Sequence, residues 1–166
     1  MRIADLLLPE YDSEISVTRR VLERVPDDRA EWRPHEKAFM MAHLAQLVAL
    51  MPGWVGQVLE QTELDIAPKD RKGSASSIET TATLLALFDN NAKAGRAALV
   101  RTTDEEFQVP WTLKAAGNPV STQPRYTALR QMVLNHLVHH RAQLGLYLRL
   151  TGQKVPSMYG PTADER

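Results

Sequence analysis

The chain has 166 residues, 43% of them hydrophobic and 24% charged, the proportions of one globular domain, 1–166, large enough to bury its own core. Twenty Lys and Arg balance 20 Asp and Glu, so nothing draws the protein to nucleic acid in general, and no basic run does so locally. Without cysteine, disulfides, thiolate metal sites and cysteine nucleophiles are excluded, and a reducing cytoplasm is the expected location.

The N-terminal apolar patch is broken by Asp5 and followed by Pro9, too short for a signal peptide. No later stretch reads as long enough to span a bilayer, so no membrane partner is expected. Helical periodicity predicts four helices. The first runs from about Pro9 to Arg24 with Ile15, Val17, Val21 and Leu22 apolar, and Pro26 stops it. Asp27 to Lys37, holding Trp32, Pro34 and His35, reads as an extended connection. The second helix spans about Ala38 to Thr62, with Pro52 inside to kink it. The third starts at Ser76 or Ser77, where Ser76-Ser77-Ile78-Glu79 offers a capping box, and continues to about Arg101. The fourth runs from about Tyr126 to Leu150 and stops at Thr151-Gly152.

Two connections are long. Glu63 to Ala75 is polar and reads as a loop. Roughly a dozen extended residues cover roughly 40 Å, enough to return along a helix of roughly 24 residues, which makes helices 2 and 3 parallel. Thr102 to Arg125 reads as a small irregular hairpin, which Pro110 bars from the middle of a sheet. The predicted fold is an all-α four-helix bundle with one long crossover loop and that hairpin between helices 3 and 4.

The chemistry gathers in Asn135-His136-Leu137-Val138-His139-His140-Arg141-Ala142-Gln143. At roughly 100° per residue, His140 lies roughly 40° from His136, among Leu129, Val133, Leu144 and Tyr147. Imidazoles one turn apart on one face can converge on one ion; His139, roughly 60° to the other side, falls on the flank. A third ligand is expected from a facing helix. His43 fits, in a stripe with Leu47, Leu50, Trp54 and Val58 that is spaced for one buried face, whereas His35 sits in a solvated loop. Taken singly, a histidine on an apolar face is more often a hydrogen-bonded core residue. Three inward ones share a need for polar partners that one divalent metal meets. Gln143, Tyr147 and Trp54 are candidates to line the pocket or orient a ligand, although a core hydrogen bond accounts for Gln143 equally well.

At these residues the chain resembles the DinB/YfiT-like superfamily of bacterial four-helix-bundle metal-dependent enzymes. The likeness covers most of the chain: Val25-Pro26-Asp27-Asp28, Trp32-Arg33-Pro34, His43, the Asn135-to-Gln143 run with its N-H-x-x-H-H-R-x-Q pattern, Tyr147-Leu148-Arg149-Leu150, and the tail from Val155-Pro156 to Tyr159-Gly160-Pro161. The resemblance implies an up-down-down-up bundle and metal ligation by His43, His136 and His140. It implies zinc or nickel, sometimes iron or manganese, and chemistry on a small-molecule substrate: transfer or isomerisation with a low-molecular-weight thiol cosubstrate, or hydrolysis. Ala38 to Ala42 lacks the Ser or Thr often found at that helix start. A thiol-dependent S-transferase is the leading expectation, a metal-dependent hydrolase the next, and a non-catalytic metal-binding stress or interaction bundle the third.

Two further expectations concern surfaces. Val155, Pro156, Met158 and Tyr159 make the tail apolar enough to pack on the bundle, at the cleft mouth or elsewhere. Leu134, Val138 and Gly145 lie opposite the histidines on the wheel, which points to a homodimer through that face.

Overall fold

The computed structural model describes residues 1–68 and 80–165. Helix α1 (Ile3–Leu22) begins well before Pro9 and carries that proline inside it. Ala4, Leu7 and Tyr11 continue the buried stripe of Glu14, Thr18 and Val21, and their burial outweighs the hydrogen bond that proline omits. The carboxylates of Asp5 and Asp104 accept from the amides of Arg2 and Ile3 and so satisfy the helix start.

After one 3₁₀ turn at Asp27–Arg29, the second helical run starts later than expected, at Met41. The carbonyls of Trp32 and Ala30 take the amides of Met41 and Ala42 and hold Phe39 and Met40 outside the helix. The run breaks at Pro52 as its sequence predicts. Helix α2 (Met41–Leu50) passes through a 3₁₀ turn, Met51–Gly53, into α3 (Trp54–Glu60). Met41–Glu60 is apolar and long enough by composition to cross a bilayer, contrary to expectation; half of its most apolar stretch is buried against the rest of the fold.

Helix α4 (Thr81–Arg101) has Thr80 as its N-cap, whose hydroxyl accepts from the Thr83 amide. The capping box expected at Ser76 lies outside the described residues. Short α5 (Asp104–Gln108) leads into the sheet. The last helical run is α6 (Arg125–Ala128), a π-helical segment Leu129–Asn135, and α7 (His136–Leu150). It ends where expected, with Gly152 at φ +78°.

The fold is mostly helical but not all-α. Strands β1 (Glu63–Asp65), β2 (Pro110–Ala115) and β3 (Asn118–Pro124) form a sheet in that order. The expected hairpin is β2–β3, antiparallel, turning through Ala116 and Gly117 at φ +51° and +82°. Strand β1 joins it in parallel, Glu63 opposite Thr112, so the start of the crossover is strand, not loop. Three residues of mixed polarity carry no period for the sequence to display. Asp65 locks the junction by accepting from the amides of Ala116 and Gly117 at 3.1 and 2.6 Å. Contrary to expectation, the hairpin strand β2 is the middle one of the sheet; Pro110 stands at its first position, where it interrupts no interior pairing.

Two apolar clusters form the core. One joins Leu7, Tyr11, Val58, Leu99, Trp111 and Val133; the other joins Val21, Leu44, Val48, Phe88, Leu144 and Leu148. The histidine end of α7 lies where the two meet.

Candidate metal centre

His136 opens α7 directly after the π segment, a departure from α-helical winding that often marks functional sites. One turn on, His140 is buried, while His136 is half-buried. Their Nε2 atoms face each other at 2.9 Å, with ring centroids 4.6 Å apart.

The protons on these rings follow from their other partners. His140 Nδ1 lies 2.8 Å from Gln143 Oε1, an acceptor, so Nδ1 carries the hydrogen. The Gln143 amide nitrogen then points to His139 Nε2 at 3.1 Å, an orientation that satisfies both ends of the side chain. The backbone of Met132 interacts with the His136 ring in the sense that favours a protonated ring. It therefore acts as an acceptor toward that ring. The His140 Nε2 is thereby left as a lone pair facing His136 Nε2. An added proton would charge one ring, and burial, the largest influence on each, pushes both histidines below their ordinary pKa.

That donor set suits a cation. Two nitrogens bound at roughly 2.0–2.2 Å to one ion stand roughly 3 Å apart when their bonds diverge by about a right angle. An Nδ1–H held by a carbonyl or amide oxygen is the usual support for a metal-binding histidine.

His43 is placed differently from its expectation. The buried face of α2 is Met41, Leu44, Ala45, Val48 and Ala49. Of the stripe assigned to the core only Val58 is buried: His43 and Leu50 are exposed, and Leu47 and Trp54 are half-buried. A wheel of mostly apolar residues does not reveal which stripe meets α4 and which borders α7. The His43 ring stacks on Phe39 at 4.7 Å and 9°, and Phe39 lies 6.1 Å from the His140 ring. Among the described residues no three His, Asp or Glu side chains gather closely enough to hold an ion. The arrangement is thus a pair, His136 and His140, with His43 separated from it by the Phe39 ring. His35 is exposed and its Nδ1 accepts from the Lys37 amide in a local turn. His139 is exposed on the flank and meets the pair through Gln143.

Tyr147 and Trp54 both border this region. The Tyr147 hydroxyl donates to the Phe39 carbonyl at 3.2 Å, and its ring meets Trp32 edge-on at 5.3 Å, which fixes the segment that carries Phe39. Trp54 lies 5.9 Å from the His136 ring. Phe39 and the Met132 carbonyl were not anticipated; each lies four residues before a histidine, the spacing that could have drawn attention to them.

The opposite face of α7 is occupied from within the chain. Leu134 is buried in the cluster that holds Leu7 and Tyr11, and a Cβ on Gly145 would meet Met158 Cε at 2.9 Å. Of the face expected to meet a second copy, Leu134 is thus in the core and Gly145 lies under the chain's own tail, while Val138 is half-buried; the tail packs away from the histidines, not at the cleft mouth. Tyr159 is largely exposed but bonded to both helices: its hydroxyl donates to Glu14 and accepts from Arg141.

The DinB family profile matches residues 2–166. Among solved structures, a DinB-like protein from Bacillus cereus ATCC 10987 superposes with TM-score 0.73 at 16% identity, covering 95% of this chain and 98% of its own. The DinB-like protein YjoA from Bacillus subtilis gives TM-score 0.65 at 17% identity, covering 97% and 99%. No curated protein matches this chain.

Proposed function

The chain belongs to the DinB family, and from that premise we propose that it is a metal-dependent enzyme built on an up-down-down-up helical bundle, with His136 and His140 as preformed ligands and His43 as the third. The observation that carries this reading is the pair of Nε2 atoms facing each other at 2.9 Å, in surroundings that disfavour an added proton. His43, on the exposed edge of α2, completes the set by turning off Phe39, a side-chain rotation open to an exposed residue.

His136, His140 and His43 would hold a divalent ion, zinc or nickel first, which would supply Lewis acidity for activating water or a thiol near neutral pH. The protein's part is orientation. Gln143 holds the His140 ring, the Met132 backbone borders the His136 ring, and Tyr147 with Phe39 closes one side. With a low-molecular-weight thiol as cosubstrate the centre serves transfer; with water in its place the same groups serve hydrolysis.

Metal content of protein purified without a histidine tag or added metal tests the reading, together with calorimetric titration of zinc and nickel. One ion per chain is expected for the wild type. His136→Ala and His140→Ala should each abolish binding, and His43→Ala should weaken it, all with unchanged far-UV circular dichroism. Absence of stoichiometric binding by folded wild-type protein overturns it.

A further inference from the structure

Behind His136 lies a half-enclosed cavity of about 240 Å³. Trp54, Gln57 and Val58 of α3 form one wall, Leu64 of β1 and Trp111 of β2 another, and Met132 of the π segment with His136 a third. Among the described residues no Lys, Arg, Asp or Glu is on its lining. The Trp111 ring nitrogen is already committed to the Gln57 carbonyl at 3.2 Å, which leaves the Gln57 amide and the edges of Trp54 and His136 as the polar contacts.

Protein interiors normally close around apolar side chains, and water gains little in a space without polar partners. An apolar cavity of roughly 150 Å³ accepts benzene, so this one has room for a ring with a short substituent. It is too small and enclosed for a helix or strand of a partner. An anionic or cationic group would lose its hydration there without a counter-charge.

We propose that this cavity holds a neutral, ring-sized apolar portion of the substrate, with the reacting group at the His136 end. The assignment of the reacting end rests on the metal-centre reading above; the cavity's preference for neutral apolar molecules rests on its walls alone. The sheet has a purpose in this arrangement, since β1 and β2 supply the wall that the helices leave open.

The test is titration of the full chain, with and without zinc, by toluene and indole, set against benzoate and cyclohexylammonium and followed by the Trp and His resonances in NMR. Saturable shifts at Trp54, Trp111 and His136, but not Trp32, are expected for the neutral probes, with the charged ones at least tenfold weaker. Leu64→Trp, at the half-buried rim, and Val133→Phe, deeper in, should each weaken toluene binding at least tenfold while zinc binding stays as in the wild type. Non-saturating shifts spread over the surface, equal binding of benzoate, or indifference to Leu64→Trp would overturn the proposal. Toluene binding without zinc binding would instead sink the metal reading and leave the apolar site standing.

Discussion

Arg141 and Glu14 form an ion pair sealed inside the fold, Nη1 to Oε2 at 2.6 Å, with side-chain exposures of 0% and 10%. Arg141 also donates to Thr18 Oγ1 at 3.0 Å and to the Tyr159 hydroxyl at 2.6 Å. The pair ties α7 to α1 on the side away from the histidines. Because successive helical residues diverge by roughly 100°, pinning Arg141 inward on α1 also aims its neighbour His140 at the cleft. Removing one partner strands a buried charge. Glu14→Ala should destabilise the protein by about 3–5 kcal/mol, whereas the double variant Glu14→Leu, Arg141→Met should recover most of that loss. Urea denaturation of both variants beside wild type checks this; equal losses would show that packing, not charge, dominates there.

Gln143 is the residue that sets the His140 tautomer. Gln143→Leu should leave the fold intact and reduce zinc affinity by about 10–100-fold, since Nδ1 loses its acceptor and Nε2 is no longer reserved as a lone pair. Calorimetry measures the affinity, and ¹⁵N shifts of the His140 ring report the tautomer. An unchanged affinity with a scrambled tautomer would separate the two effects and remove Gln143 from the centre.

Acid should loosen the metal-free protein in a defined window. Burial lowers the folded-state pKa of His136 and His140 below the ordinary 6.5, so the unfolded chain binds protons that the folded one refuses. The stability this represents is present above about pH 6.5 and is lost as pH falls towards the lowered folded values. With chelator present, the urea midpoint should fall between pH 7.5 and 5.5, and a His136→Gln, His140→Gln variant should show a flatter profile. Parallel profiles would mean that other groups govern the slope.

Two helical glycines should respond oppositely to alanine. At Gly95 a Cβ would stand 2.3 Å from the Pro52 carbonyl oxygen and 2.6 Å from the Tyr11 hydroxyl, where α4 crosses the break in the second helical run. Backbone cannot yield cheaply, and Gly95→Ala should cost about 1–3 kcal/mol. At Gly145 the nearest atom is the flexible Met158 methyl, so Gly145→Ala should be neutral or stabilising by up to about 1 kcal/mol through helix propensity. Thermal melts of the two variants decide between these signs.

What the sequence determined by itself is what depends on residues a few positions apart. The break at Pro52, the stop at Gly152, the β2–β3 hairpin and the meeting of His136, His140 and Gln143 all follow from spacings of one helical turn or one tight turn, which backbone geometry dictates without knowledge of the partner elements. The tertiary structure decided everything that required knowing which face meets which. An apolar helix such as Met41–Glu60 offers several plausible inner stripes, and only its packing against α4 assigns Val48 to the core and leaves His43 at the edge beside Phe39. Leu134 and Gly145 looked outward until α1 and the tail were seen to cover them. Strand β1 exists because β2 lies beside it, not because Glu63-Leu64-Asp65 has a strand's pattern. The cavity at His136 is assembled from residues between Trp54 and His136 in the chain, so no local pattern could announce it: its shape is a property of how the helices and sheet fail to close, and closure is decided only by packing.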